Sequence, residues 1–494
     1  MRQNIKSRVI LALALGAMGI LLPHCGGLNE DDFKQVNVAG FDAEDNALDK
    51  NDYSYSMEYF KADGADDGYL YVGTCNNMGG LIGFYVDVLA NGGDILDAPV
   101  RPPEILRYRP DWGPTEWETV FDYRDVEAEP NFKTIGFRFM TIVELPDGGK
   151  TGATVRYLYA ATQGEESLLW RTRSGDYGEW EHVFTYEDLG GSIRWLEQLD
   201  GRVYAAVAYD SFGEVPPPGE IWVSDDGVNF RPIMQDGFGD PNNRGVQALI
   251  AYQGWIYAGT KNDIDGFDIW KLRPRAAGSD DYEYVRVVSG GGPSAHNENA
   301  GMPIVFKNKL YFGTQLYIAG FNPTSGNAFE GCDIIRINED DSWETIVGPE
   351  SLSGYESGFN HFTNSYLWWM EEHDGWLYAS TFDQGTLLSG ILGNFDGVLD
   401  FLQGAINKEL EANDYYGVLH AGGDIFKTCN GVDWYPVTMD GMNDPRNYGW
   451  RTMKSCPDGY LYVGSANTTT GSQVWRARER GRDKAAREFL KQFE

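Results

Sequence analysis

Residues 441–475 read GMNDPRNYGWRTMKSCPDGYLYVGSANTTTGSQVW: a polar Asn/Asp loop, a strand, a tight turn at Asp458-Gly459, the strand YLYVGS, a second polar loop and a third strand. The turn and its strand recur as DGYLYVGT around Tyr71, RYLYAAT around Tyr159, DGRVYAAV around Tyr204, QGWIYAGT around Tyr257, NKLYFGT around Tyr311 and DGWLYAST around Tyr378. Copies spaced by roughly 45 to 90 residues signal a propeller or a solenoid, in which each unit buries its faces against its neighbours. Within the copies, Ile221-Trp222-Val223-Ser224 and Asp268-Ile269-Trp270-Lys271 alternate as half-buried strands require.

Working outward, Phe33 to Asp42 matches Phe230 to Asp240 and Trp434 to Met442, which are the last strands of their units with the loop that follows. The chain therefore begins with a last strand, and its final repeat ends after Val474-Trp475-Arg476 without one. Pairing the two ends closes a ring and hides two strand edges. The expected fold is all-β: a seven-bladed β-propeller over residues 33–477, closed by the N-terminal strand. Trp170, Trp222, Trp270 and Trp475 recur in the third strand and are expected to pack between blades. Insertions at Asn76–Pro103 and Gly385–Gly422 interrupt the rhythm; in the second, Val398, Leu399, Phe401, Leu402, Ile406 and Leu410 recur at helical spacing. That spacing predicts a short amphipathic helix in blade 6. Residues 478–494 predict a C-terminal helical tail.

The 494 residues include 40 basic and 74 acidic side chains, a net charge of −34 that repels nucleic acid and anionic headgroups over most of the surface. Arg2, Lys6 and Arg8 precede the apolar run Val9–Leu22, which is short for a membrane span and suits a signal peptide over residues 1–24. Leu22-Pro23-His24-Cys25-Gly26 resembles a bacterial lipobox, which implies lipidation of Cys25 and an anchor and linker over residues 25–32. Ordinary signal cleavage and an uncleaved anchor are the alternatives. Either processed form predicts export to the cell envelope, the lipidated one as an outer-membrane or surface lipoprotein. Export permits disulfides, and Cys429 and Cys456 are expected on the lower face of neighbouring blades, where a bond between them is an option.

With the strands of each blade labelled A to D from the axis outward, the D-to-A and B-to-C loops emerge on one face. Pooled, they hold His296, His361 and His420 and a surplus of Asn and Asp, among them Asn243, Asn364, Asn447, Asp263 and Asp265. Such oxygens suit calcium, for which Asp263 and Asp265 are the candidate ligands, or sugar hydroxyls; plain turn formation is the alternative. In strand A, counting back from the A-to-B turn, Arg194, Gln247 and Trp368 are equivalent, and Arg451 and Arg138 join them from their local context. Guanidinium forks bind carboxylate, sulfate or phosphate, so an anionic sugar is one expected ligand; pairing with Glu197 or Glu371 is the alternative. The expected ligand-binding set is Arg138, Arg194, Gln247, Trp368, Arg451, His296, Asn243, Asn364 and Asn447. His361 and His420 are the candidate general bases. The chain has no H-E-x-x-H, G-x-S-x-G, P-loop or dinucleotide fingerprint.

Ser224–Phe230 and Thr428–Trp434 resemble the Asp-box turn of sialidase-like propellers, each one residue shorter than S-x-D-x-G-x-T-W. The units at 443–475 and 239–270 resemble a set of bacterial surface-protein propeller repeats of uncharacterised function, a likeness that spans nearly all of the mature chain and implies the fold. The leading expectation is non-catalytic binding of a carbohydrate or other surface ligand through the upper loops. The alternatives are a lyase or glycosidase acting on an acidic glycan, and a scaffold for an envelope protein.

Overall fold

The computed structural model describes residues 26–41, 51–76, 101–126, 134–147, 153–187, 190–209, 216–316, 330–386 and 421–479. The signal segment, Cys25, His420, the helix expected in blade 6 and the tail beyond residue 479 lie outside the described residues. Among the described residues the chain is all-β, with 28 strands in antiparallel pairs and a few 3-10 turns of three or four residues.

The pairing groups the strands into four-stranded meanders. Unit 1 holds Tyr53–Phe60, Tyr69–Cys75, Glu104–Tyr108 and Glu118–Asp122; unit 2 holds Thr134–Pro146, Thr154–Gly164, Ser167–Thr172 and Glu181–Tyr186. Unit 3 holds Gly191–Leu199, Arg202–Tyr209, Glu220–Ser224 and Arg231–Met234; unit 4 holds Gly245–Tyr252, Trp255–Lys261, Ile269–Pro274 and Tyr282–Val288. Unit 5 holds Asn299–Phe306, Lys309–Gln315, Ile334–Ile337 and Trp343–Val347; unit 6 holds Asn364–His373, Trp376–Asp383, Ile425–Thr428 and Tyr435–Thr438. Unit 7 takes Gly449–Ser455, Leu461–Ala466 and Val474–Ala477 from the C-terminal end and Lys34–Gln35 from the N-terminal end. There Lys34 pairs with Arg476 and Gln35 with Trp475, so the expected closure by an N-terminal strand is present.

Each A strand touches the A strands of the units on either side, and that of unit 7 touches that of unit 1. A closed ring of inner strands makes the architecture a β-propeller. Its core is divided among the interfaces between units. In the B strand of unit 3, Val203, Ala205 and Val207 pack toward unit 2, while Tyr204 and Ala206 pack toward unit 4. Both faces of that strand are buried, which is why VYAAVAY reads as an unbroken apolar run. The repeated B-strand tyrosine reaches into the next unit. Tyr159 donates to Gly227 O at 3.0 Å, Tyr257 donates to Asp341 at 2.7 Å, and Tyr378 accepts from Leu28 N at 2.8 Å. A Cβ on Gly175 or Gly431 would meet Tyr71 or Tyr311 at 2.0 Å, so these hairpin positions admit only glycine.

The C-to-D hairpins at 224–229 and 428–433 share one bond pattern, with Asp226 and Asn430 each accepting from two successive backbone N–H groups at 2.9 and 2.8 Å. The strand-C tryptophans pack against the preceding unit as expected: Trp170 lies 5.0 Å from Phe121, and Trp270 stacks on Phe238 at 5.0 Å. No Cys429–Cys456 disulfide forms; both are free thiols, Cys429 exposed on its hairpin and Cys456 buried.

Candidate functional site

Every A strand slips by a residue or two against its B strand at one level. The slips fall between Ser54 and Ser56, Phe137 and Phe139, Ile193 and Trp195, Val246 and Ala248, Gly301 and Ile304, Leu367 and Trp369, and Trp450 and Thr452. The skipped residues are Tyr55, Arg138, Arg194, Gln247, Met302 with Pro303, Trp368 and Arg451. A bulge leaves one residue out of the ladder and re-aims its side chain. Repeated around the ring, it builds a layer of side chains about the axis. This layer brings together all five residues predicted from strand A and adds Tyr55 and Met302.

The arginines converge. The Arg451 guanidinium lies 5.1 Å from the Tyr55 ring centre and 5.8 Å from that of Trp368, and Arg138 lies 5.3 Å from the Tyr55 ring. Arg138 also donates to Tyr55 Oη and Gln163 Oε1. Arg194 and Arg451 are each only 5% exposed. Burial lowers the pKa of Arg451; Tyr55 pushes it the other way, and Arg194 adds to the lowering. Arg451 Nη1 is buried and has no hydrogen-bond partner among the described residues.

Aromatic residues of units 6, 7 and 1 surround this layer: Trp368 lies 4.7 Å from Phe382 and 5.8 Å from Tyr53, and Tyr53 and Tyr448 share a hydroxyl bond at 2.9 Å. Amides stand on the other side, where Gln247 Nε2 and Asn299 Nδ2 both donate to Gln315 Oε1 at 3.4 Å. One residue further along strand A, toward the A-to-B turns, Trp195 of unit 3 stacks on Trp369 of unit 6 at 6.1 Å, and Phe139 of unit 2 lies 4.6 Å from Trp195. Units 3 and 6 stand across the ring from one another, so these rings bridge the axis. Acidic residues follow beneath: Glu58 pairs with Lys454 at 2.7 Å, and burial pushes Glu197 and Glu371 up to about 7.

The other predicted residues lie in the outer loops and have local roles. Asn243, Asn364 and Asn447 are fully buried clamps. Their amides donate to Gly237, Gly358 and Gly441 O at 2.9, 3.0 and 3.1 Å. Their oxygens accept from Thr260, Thr381 and Asn467 at 3.1, 2.8 and 3.0 Å. The three glycines have φ of 63°, 68° and 70°, the left-handed region that the loop needs and glycine supplies. His361 is 1% exposed and bonded through Nδ1 to Asp424 at 3.0 Å. His296 is half-buried, 3.9 Å from Glu330. Asp263 pairs with Arg244 at 3.0 Å, and Asp265 accepts from Asn242 at 3.1 Å. Among the described residues no group of three or more His, Cys, Asp or Glu side chains is placed to hold a metal ion. Two loop residues close the insertions: Asn76 donates to Arg101 and Pro102 O, and Asp383 accepts from Gly385 and Gly422 N at 2.8 Å each.

No protein-family model matches the chain, and no curated protein does. Among solved structures it is similar to the WD40 repeats of RRP9, at 8% identity and a TM-score of 0.45, covering 92% of this chain and 99% of that one. It is similar to an α-L-arabinofuranosidase from Fusarium graminearum solved with an iminosugar inhibitor, at 10% identity and a TM-score of 0.37, covering 90% and 97%. A Penicillium chrysogenum α-L-arabinanase solved with arabinobiose shows 12% identity and a TM-score of 0.37 over 70% of this chain and 93% of that one. Scores this low leave the chain's own residues as the ground for any functional reading.

Proposed function

We propose that this chain is a seven-bladed β-propeller of the cell envelope that binds an acidic carbohydrate at the upper mouth of its axis. The four-stranded units and the closed ring of A strands support the blade number. One observation carries the binding site: Arg451 is nearly fully buried between two aromatic rings, close to Arg194, with a guanidinium nitrogen that no described residue satisfies. A buried charge without a partner is costly, and a carboxylate is the partner that a guanidinium fork fits. Aromatic walls with a few fixed polar groups are the usual lining of a small-ligand site, and here Trp368, Tyr55 and Gln247 supply them.

Binding without turnover is the favoured chemistry. The candidate base His361 is buried in a loop and bonded to Asp424. Export rests on the basic and apolar N-terminus and the lipobox-like Cys25. The residues after Cys25 are docked at once: Lys427 donates to Leu28 O at 2.8 Å and to Asn29 Oδ1 at 2.9 Å, and Leu28 is fully buried beside Trp376. Trp376 follows an A-to-B turn, so a lipid on Cys25 would hold the lower face near a membrane and leave the axial mouth pointing away. Cys25→Ser should then release the protein from membranes; unchanged fractionation contradicts the anchor.

The binding test is calorimetry of the mature chain with uronates, sialate and neutral sugars, repeated on Arg451→Gln. Acidic sugars should bind and neutral analogues should not. Arg451→Gln should weaken acidic binding by about tenfold or more, and without ligand it should melt no lower than wild type, because it removes a buried uncompensated charge. Equal binding by the variant contradicts the site.

A further inference from the structure

The third strands of four units share a basic pattern: ILRYRP at 105–110, LWRTRS at 169–174, IWKLRP at 269–274 and VWRARE at 474–479. Residues two apart on a strand share a face, so the two cations of each copy stand on the same side. There they meet an aromatic residue of strand B, two before its repeated tyrosine. The guanidinium centres of Arg107 and Arg109 lie 4.4 and 5.8 Å from the Tyr69 ring centre, and those of Arg171 and Arg173 lie 4.4 and 5.8 Å from that of Tyr157. Lys271 and Arg273 meet Trp255 in the same way, and Arg476 and Arg478 meet Tyr460. In units 1, 2 and 4 the first cation is held internally, Arg107 by Glu118 and Asp176, Arg171 by Glu181 and Lys271 by Asp341. The second cation differs between units. Arg109 pairs with Asp67 at 3.2 Å and Asp111 at 3.1 Å, and Arg273 pairs with Glu283 at 3.1 Å. Arg173 and Arg478 are exposed and have no ion pair among the described residues. Of these two, Arg173 borders a cleft of about 480 Å³ at the C-to-D hairpin of unit 2.

We infer that this cleft is a second binding site, separate from the axis, for a small phosphate ester that carries hydroxyl groups, such as a sugar phosphate. Its volume falls in the range of roughly 300–1,000 Å³ that small-ligand sites occupy. Stacking on Tyr157 holds the guanidinium planes and leaves in-plane N–H groups of Arg173 to face a ligand. The charge of Glu181 is matched by Arg171, 2.9 Å away, so Arg173 supplies positive charge with no counter-ion of its own. Beside it Ser174 accepts from Asp176 N at 3.1 Å and keeps its hydroxyl proton to donate. A guanidinium fork with a hydroxyl donor suits the several oxygens of a phosphate. Glu179 also lines the cleft and has no ion pair among the described residues. It repels a bare anion and accepts from hydroxyl groups, which favours an ester with a hydroxylated skeleton. Trp180, half-buried against Phe121 at 5.7 Å, offers ring surface to the carbons of that skeleton.

The test is calorimetry of the mature chain with glucose 6-phosphate, beside glucose, inorganic phosphate and glucuronate. The ester should saturate a site and glucose should not, while phosphate and glucuronate should each bind about tenfold or more weakly than the ester. Arg173→Gln, at an exposed position, should keep the wild-type melting temperature and weaken the ester by about tenfold or more. Arg109→Gln alters the counterpart that unit 1 pairs internally, and should leave ester affinity unchanged. No saturation by the ester up to about 10 mM, or equal affinity in Arg173→Gln, overturns the inference. So does glucuronate or bare phosphate that binds as tightly as the ester. Neither result bears on the axial site.

Discussion

Arg451 and Asn364 are both buried polar side chains, and they differ in what surrounds them. Asn364 is fully satisfied: its amide reaches Gly358 O and Asp424 Oδ2, and its oxygen accepts from Thr381. Asn364→Ala removes three buried hydrogen bonds, to Gly358 O, Asp424 Oδ2 and Thr381 Oγ1, and should lower stability by about 2–3 kcal/mol in denaturant unfolding, with acidic-sugar affinity unchanged at low temperature. Loss of affinity in the folded variant would return Asn364 to the ligand. The sequence carried the sign of this role. Gly237, Gly291, Gly358 and Gly441 each stand six residues before an Asn that donates back to them. Pooled loop composition hides that spacing, because ligand Asn and turn Asn are the same residue type on the same face. The axial residues were more legible. Arg194, Gln247 and Trp368 could be aligned by counting back from a turn, whereas Tyr55 sits in a run that alternates like any strand. A bulge adds a residue to the chain without changing its composition, and the two-residue slip at Met302-Pro303 moves unit 5 out of count.

At the level of elements, the B-strand tyrosine was visible as the most repeated residue of the repeat, and the structure supplies its reason as a bolt to the next unit. Tyr159→Phe removes the bond to Gly227 O and should cost about 1 kcal/mol, measured as a shift in denaturant midpoint; no shift would show that ring packing alone does the work. The short N-terminal strand matters beyond its two ladder residues, since Val36 N bonds to Val474 O at 2.8 Å and Trp117 of unit 1 donates to Val36 O at 2.8 Å. Deleting residues 26–38 should bare the edge of Val474–Ala477 and produce oligomers in light scattering. A deletion that stays monomeric at the wild-type melting temperature would contradict closure by this strand. Its role was readable because Phe33–Asp42 copies the last strands of other units.

The whole molecule combines a net charge of −34 with buried carboxyls whose pKa burial raises. Burial raises Asp333, Glu197 and Glu371 to about 7 from ordinary values of 3.8, 4.5 and 4.5. Between those limits the folded protein keeps protons that the unfolded chain has lost, so unfolding releases protons and is favoured as pH rises. The stabilisation is complete below about pH 4, fades up to about pH 7 and is gone above it. Charge repulsion at −34 acts in the same direction. In the acid limb Asp226, whose pKa is lowered despite some burial by bonds from Asn229, Val228 and Ser224, loses its contribution as it protonates. Melting scans should therefore peak near pH 4 and fall toward pH 7; a rise over that range would mean these carboxyls ionise freely in the folded state. Paired by charge alone, the three axial arginines would be invisible against so acidic a surface. The measurement that bears most directly on them is a crystal structure of the mature protein soaked with a uronate that binds in solution. The carboxylate is predicted within hydrogen-bond distance of Arg451, above the Trp195–Trp369 stack, with the sugar ring against Trp368 or Tyr55. Density for the sugar among the outer Asn/Asp loops, with none at the axis, would contradict the account.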